Sequence, residues 1–515
     1  MNRYLPILSI VSAAVFLSSA CTEEYDLCVY GGTASGIMAA YAAAEEGLDV
    51  VIVEPTERFG GLTAGGLGQT DIGNTDIVRG LALEFYRKIG TDLSHPDKCV
   101  FTPSSALRVF EEYLAHPGIK AVKGYHLAGV VKEGSAIKSF RAAKGADTLT
   151  FRAKWFIDSS YEGDLMAEAG VSYRTGREDN SEYGETWNGV QMLSGHQFPD
   201  GVDPYVVPGD PESGLLWGIS DREPGIPGSG DGLIQAYNYR ICLTDSLENM
   251  VPITEPENYD PSRYELLVRL YEAQPGKTGV NDYFIWSLMP GRKTDINNRG
   301  GFSTDMIGMN YDYPEASWER REQIKKAHKD YTLGLLYFTA TDPRVPEALR
   351  TEVARWGLPK DEYVESGHWT PLLYIRESRR MVGEYVATQA DCEGTRTAPD
   401  PVALAAYTMD SHNCQRVVVH KDGKAMVKNE GNVEMPVWSP YPVSYRSMTP
   451  IRSECVNLLV PVCCSATHIA YGSIRMEPVF MCMGEAAGRA AAIAEKGGLG
   501  AVQDVDSRDI VARLK

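Results

Sequence analysis

A six-residue run near the start of the chain could hold an anion. Gly31, Gly32, Thr33, Ala34, Ser35 and Gly36 stand directly after the short apolar stretch 25–30. Strand-forming residues, then glycines, then the alanine-rich segment 37–46 predict a strand, a tight turn and a helix, with Gly47 just past the helix end. The first N–H groups of such a helix lack intrahelical partners and its dipole is positive there, so a pyrophosphate fits at the turn. Gly31 permits the turn and Gly36 lets helix and strand approach. Thr33 stands where G-x-G-x-x-G has its middle glycine, which puts a Cβ where backbone would meet phosphate and offers a hydroxyl donor instead. Residues 49–54 form a second buried strand ending on Glu54, 18 residues after Gly36 and suited to accept hydrogen bonds from an adenosine ribose.

Strand, helix, strand and acid in this order make a βαβ dinucleotide unit. A second glycine-dense loop follows at once: Arg58, Phe59, Gly60, Gly61, Leu62 and Thr63, running on to Gly65, Gly66 and Gly68. A nicotinamide dinucleotide needs no such loop, whereas the ribityl chain and ring of a flavin need backbone close by. Near the other end, 484–495 reads as a small-residue helix beginning at Gly484 and carrying Ala487 and Gly488. Its positive end would face the pyrimidine edge of a reduced flavin. The three elements together point to FAD.

These motifs resemble the glutathione-reductase-like FAD fold. Nearly all of the chain is similar to the family of exported bacterial FAD-dependent oxidoreductases, some members of which are catalogued as xanthan lyases. The resemblance rests on 30–36, on Gly60 and Gly61, and on 157–164, where the family shows I-D-A-T-G-D-G-D and this chain has Ser160 and Tyr161 in place of Thr and Gly. It continues through 291–298, 373–380, Asp410-Ser411-His412, 465–468 and 473–475. It implies the fold and the cofactor, and it supplies no substrate.

Hydride transfer to a flavin needs a base for the proton of a hydroxyl or carbon acid, and histidine titrates in the right range. Of nine histidines, His412 and His468 lie in the family-like runs, and either could be that base or a hydrogen-bonded structural residue. Arg475 is close enough in sequence to the last helix to stabilise negative charge on the reduced ring. Arg376, Arg379 and Arg380 are expected to anchor a helix against Glu377 and Glu384. Lys293, Asp295, Asn297 and Asn298 could bind sugar hydroxyls or close a turn, and the turn is favoured. No cluster has the spacing of a metal site. The expected activity is FAD-dependent oxidation or reduction of a small polar, carbohydrate-derived molecule, with an electron acceptor that the sequence does not name. A redox-neutral sugar lyase that retains FAD and a sugar-binding protein are the alternatives.

The elements that must position these residues follow from the order of the motifs. The fold class is α/β: a Rossmann-like FAD domain built from 21–165 and 443–515, with an α+β substrate domain inserted at 166–442. Within 121–158 the alternation predicts a β-meander with strands at 126–131, 136–142, 148–152 and 155–157. Helical runs are expected at 318–328 and 382–389. The ten cysteines include no CxxC pair; most lie in apolar contexts and read as buried small residues, while Cys99 could join a disulfide. Fifty Lys and Arg against 69 Asp and Glu give a net charge of -19, which disfavours nucleic acid and anionic membrane surfaces.

Residues 1–20 read as an export signal: Arg3, an apolar run over 5–17 too short to span a bilayer, then small residues before Cys21. The ending resembles a lipobox, which makes Cys21 the lipid-bearing residue and the protein an exported one that touches the membrane only through its anchor. Mass spectrometry of the mature N-terminus should therefore find a diacylglyceryl or triacyl cysteine at position 21; a free N-terminus elsewhere would leave only a secretory signal.

Overall fold

The computed structural model describes residues 24–95 and 98–515, so the signal segment and Cys21 lie outside the described residues. Strand β1 (Glu24–Tyr30), helix α1 (Ala34–Glu45) and strand β2 (Val50–Glu54) follow in the expected order. β1 and β2 pair in parallel, with Leu27 opposite Val50 and Tyr30 opposite Val53. Alternation along each strand feeds two cores. Leu27, Val29, Val50 and Ile52 pack with the alanines of α1, while Cys28, Tyr30, Val51 and Val53 join the core on the other face. Burial on both faces explains why these strands are apolar without a polar stripe.

β3 (Ile119–Lys123) adds in parallel beyond β2, and β4 (His126–Glu133), β5 (Ala136–Lys144) and β6 (Asp147–Asp158) form the antiparallel meander. The strands expected at 148–152 and 155–157 are one. β6 pairs antiparallel with β5 up to Arg152, then runs parallel to β1 until Asp158 stands opposite Tyr30. The short strand Leu458–Leu459 joins β6 in parallel, opposite Phe156 and Ile157. The sheet order is β3-β2-β1-β6-β5-β4, with the C-terminal part of the chain entering through β6.

The helix Glu477–Gly497 lies along α1. A Cβ added at Gly484 would stand 2.1 Å from the Ser35 carbonyl oxygen, and one at Gly488 would stand 2.2 Å from that of Ala39. These glycines, with Ala487 between them, let two helix backbones touch. This corrects the expectation that Gly484 heads the helix, which begins at Glu477 with Pro478 in its first turn, where a missing N–H costs nothing.

Three expectations for the inserted segment also change. The helix Trp318–Thr341 runs well past 328. Residues 382–388 are not helical, because Gly383 bridges to Pro450 and Ala387 to Ala466 on either side of a bend at 384–385, and helix appears only at Gln389–Cys392. Lys293–Asn298 is a strand paired with Phe284–Met289 rather than a turn. The arginine cluster is ion-paired as expected but not on a helix: Arg376 meets Asp305, Arg379 meets Asp164 and Glu315, and Arg380 meets Glu178 and Glu377 rather than Glu384. The described cysteines are buried, and Cys99 turns its thiol to the carbonyls of Asp92 and His95 (3.8 and 3.7 Å). Among the described residues no helix is long and apolar enough to cross a membrane.

The helix contact yields a stability prediction. Gly488→Ala forces the two backbones apart and should cost about 1–3 kcal/mol, whereas Gly500→Ala, with nothing within 4 Å of the new methyl group, should be nearly neutral. Scanning calorimetry of the two variants should show a lower melting temperature for Gly488→Ala only.

Candidate functional site

The carboxyl ends of β1, β2 and β6 open on one cleft of about 270 Å³. Ligands of open α/β sheets bind outside this edge. β1 delivers Gly31 and Thr33 to it, β2 delivers Glu54 and Arg58, and β6 delivers Ser160 and Tyr161. Gly31 has φ +94 and its added Cβ would lie 2.4 Å from the Ser160 nitrogen, so no other residue makes this turn without strain. A Cβ on Gly36 would lie 2.0 Å from the Gly31 oxygen. Ala34, Ser35 and Gly36 form the first turn of α1, whose positive end meets the cleft through Gly31 and Thr33. The Thr33 hydroxyl, expected as a phosphate donor, is committed elsewhere: it donates to the Ser159 carbonyl (2.8 Å) and caps α1 by accepting from the Gly36 N–H (3.2 Å). It has a single proton to give.

Glu54 is buried and folded onto its own loop. One carboxylate oxygen accepts from the Gly32 N–H (2.7 Å); the other accepts from the Thr56 N–H (2.8 Å) and hydroxyl (2.6 Å). Three of about four acceptor positions are used, which leaves one for a ribose hydroxyl. Burial pushes this carboxyl up to about 7 against the pull of those donors. Arg58 donates to the Ala64 carbonyl (2.9 Å) and pairs with Glu365 of the inserted segment.

The second glycine loop is tied to both neighbours. The Gly60 N–H donates to the Gly32 carbonyl (2.7 Å). The Leu62 N–H donates to the Tyr161 hydroxyl (2.8 Å), which in turn donates to Glu477 (2.6 Å), and the Thr63 hydroxyl donates to the other Glu477 oxygen (2.6 Å). Tyr161 thus replaces the family's glycine with a side chain that links the loop, β6 and the last helix. Sequence reasoning missed Glu477, although a carboxylate just before Pro478 in an apolar run was a visible signal. Gly31, Gly61 and Gly65 line the cleft with bare backbone, and Trp318, Lys325 and Leu372 of the inserted segment cap it. The spare acceptor on Glu54, the helix end and these glycines fit the adenosine, pyrophosphate and ribityl parts of FAD.

A second cavity, of about 260 Å³, is lined by Asp71, His196, Ile285, Asn297, Asn298, Tyr374, Tyr407, Thr408, Asp410, His412 and Glu434. Pro371 and Leu372 line the cleft, and Tyr374, two residues further along the chain, lines the cavity. His412 Nδ1 lies 2.8 Å from Asp305, which pairs with Arg376 (2.9 Å), and Nε2 lies 3.6 Å from Asp410. Arg475 donates to the Tyr374 hydroxyl (2.9 Å) and to Asp410 (2.9 Å). Burial opposes ionisation of Asp410, but His412 and Arg475 hold its carboxyl far below the usual range.

The two candidate histidines separate. His412 faces the cavity, whereas His468 lies behind its wall with Nδ1 on Glu377 (2.7 Å) and Nε2 on the Ser411 hydroxyl (2.9 Å). Strand alternation is the reason: on Met409–Ser411, Asp410 points into the cavity and Ser411 away from it. The polar cluster also divides, here by position along its strand, whose last two residues reach the cavity. Asn297 and Asn298 line the cavity, while Asp295 binds Arg240 and the Gly68 and Gln69 N–H groups, and Lys293 pairs with Glu362. His196, with φ +46 and Nε2 3.1 Å from Glu434, was not singled out from the sequence. Among the described residues no group of three or more His, Cys, Asp or Glu side chains is arranged to hold a metal ion.

A stretch of 57 residues is 42% identical to the 3-oxosteroid 1-dehydrogenase of Mycolicibacterium smegmatis, covering 11% of this chain and 10% of that one. Among solved structures, THI4 of Thermovibrio ammonificans aligns over 30% of this chain and 66% of its own, at 21% identity and a TM-score of 0.25. Thioredoxin reductase of T. acidophilum aligns over 31% and 40%, at 22% identity and a TM-score of 0.19. The chain spans about a tenth of the curated relative and two thirds or less of these two structures. Residues 26–514 match the family described as FAD dependent oxidoreductase. Since that match runs through both glycine loops and the last long helix, the chain belongs to the FAD dependent oxidoreductase family, and FAD is its cofactor.

Proposed function

We propose that this protein oxidises or reduces a small polar, carbohydrate-derived molecule held in the second cavity. The observation that carries this reading is a histidine oriented by a carboxylate and facing a polar chamber, whose lining residue Tyr374 stands two positions after Leu372 of the cofactor cleft. Bound FAD supplies a two-electron acceptor or donor. Asp305 receives the Nδ1 proton of His412 and so fixes the tautomer in which Nε2 is the proton acceptor. Arg376 keeps Asp305 ionised. Arg475 acts as a positioning residue: Asp410 already answers its charge, and its donors hold Asp410 and Tyr374 in the wall. Amides and carboxylates suit hydroxyl groups, and they suit the steroid in the relative's name less well.

Two measurements test this reading. Anaerobic mixing of the FAD-loaded protein with a panel of sugars and their oxidised derivatives should identify one that bleaches or recolours the flavin. Turnover without net flavin change would favour a lyase, and binding with neither would favour a sugar-binding protein. With the active sugar, His412→Gln should slow single-turnover flavin reduction about a hundredfold or more while retaining FAD. His468→Gln should lower the melting temperature and leave the rate much closer to that of the parent.

The second measurement concerns Glu54. A ribose hydroxyl donates to the ionised carboxylate, and the carboxyl of the unloaded protein titrates at about 7. Below that pH binding must first remove a proton. FAD affinity of the apoprotein, read by flavin fluorescence, should therefore tighten as pH rises towards about 7 and level off above it, and Glu54→Gln should flatten the profile. A flat profile in the parent chain would mean that Glu54 does not meet the ribose.

A further inference from the structure

The second cavity is lined by carboxylates and histidines, with no lysine or arginine at its surface. The carboxylates are Asp71, Asp410 and Glu434, and the histidines are His196 and His412. The arginines packed behind the wall are already answered. Arg240 makes a two-point pair with Asp295 (2.8 and 2.6 Å), Arg376 pairs with Asp305 (2.9 Å), and Arg475 pairs with Asp410 (2.9 Å). Glu434 has His196 at 3.1 Å. Asp71 remains: it shares the Arg240 guanidinium, at 3.5 Å, with the closer Asp295, and burial raises its own carboxyl above the usual range, so a cation placed against it would favour the ionised form. Its side chain is 35% exposed, and it lines the cavity. Tyr407 is its neighbour on that wall, and the charge of Asp71 is the main reason the Tyr407 hydroxyl is held well above its usual range.

A second observation points to a ligand here. His412 is 8% exposed, and its Nε2 stands 3.6 Å from Asp410, beyond hydrogen-bond length. A nearly buried ring nitrogen therefore faces the chamber beside the two asparagines. A ligand with hydroxyl groups alone would satisfy the amides and His412 but leave Asp71 with only its long, shared pair to Arg240. A sugar acid would add an anion to a wall that offers it no cation. We propose that the substrate of this cavity is a hydroxylated amine of the amino-sugar type, its ammonium group received by Asp71 and its hydroxyl groups by Asn297, Asn298 and His412. This rests on reading the cavity as the substrate site.

Calorimetric titration of the FAD-loaded full chain with glucosamine, glucose and glucuronate tests it. Glucosamine should bind at least tenfold tighter than glucose, and glucuronate should bind weakest. Asp71→Asn should bring glucosamine down to the affinity of glucose without changing flavin absorbance. Raising the pH above the pKa of the amine should abolish the preference in the parent chain, a readout that needs no substitution. Absence of any preference for the amine, binding of glucuronate as tightly as glucosamine, or a preference that survives in Asp71→Asn overturns the proposal. Flavin bleaching separates this inference from the one beneath it. Glucosamine that binds with this preference but neither reduces the oxidised flavin nor reoxidises the reduced one counts against the redox reading of the cavity alone, and glucuronate that changes the flavin where glucosamine does not sinks this inference alone.

Discussion

A buried carboxylate at the start of the last long helix ties together parts of the chain more than 300 residues apart. Glu477 accepts from Tyr161 at the end of β6 and from Thr63 in the second glycine loop, 316 and 414 residues away in sequence. Removing a carboxyl from water is costly, and burial raises this one above its usual range. Two short hydrogen bonds offset part of that cost, and they fix the loop that must lie along the ribityl chain. Were either donor absent, the helix would lose the contact that sets its start against the cleft. The same helix contacts α1 through glycines, so its position along the sheet is determined twice, once by charge and once by steric contact.

The cofactor half of the molecule was legible because its signals are local. Gly31, Gly36 and Glu54 are spaced by backbone geometry within one βαβ unit, and such geometry can be read without knowing what lies elsewhere in the fold. Gly484 and Gly488 were also recognised, but their task was misread. A small-residue helix signals close approach, and only the partner reveals whether it approaches a ligand or another helix. The partners of Glu477 and Tyr161 were hidden for the complementary reason, since each finds them hundreds of positions away.

In the inserted segment the failures share one cause. Residues 382–388 carry a pattern that permits helix, yet bridges to Pro450 and Ala466 hold them out of it, so tertiary pairing overrides a weak local preference. His412 and His468 looked equivalent in sequence. What divides them is the alternation of a three-residue strand, which sends Asp410 to the chamber and Ser411 toward the ring of His468. Behind the chamber, His468, Glu377 and Arg380 form a buried charged layer in which each group has a partner, and this layer supports the wall without facing the ligand.

The change of partner within β6 has a consequence for biogenesis. Its first half is complete once the hairpin with β5 has been synthesised, a local event. Its second half needs Leu458–Leu459, and the face of α1 needs the helix that starts at Glu477. Contacts of such sequence separation form slowly, because a long loop must close before any of them is made. A chain emerging from a ribosome therefore displays the face of α1 that meets the last long helix for almost its whole length before that cover arrives. The meander can persist as a preformed unit in that interval, while the second glycine loop of the cofactor cleft is fixed only when Glu477 arrives.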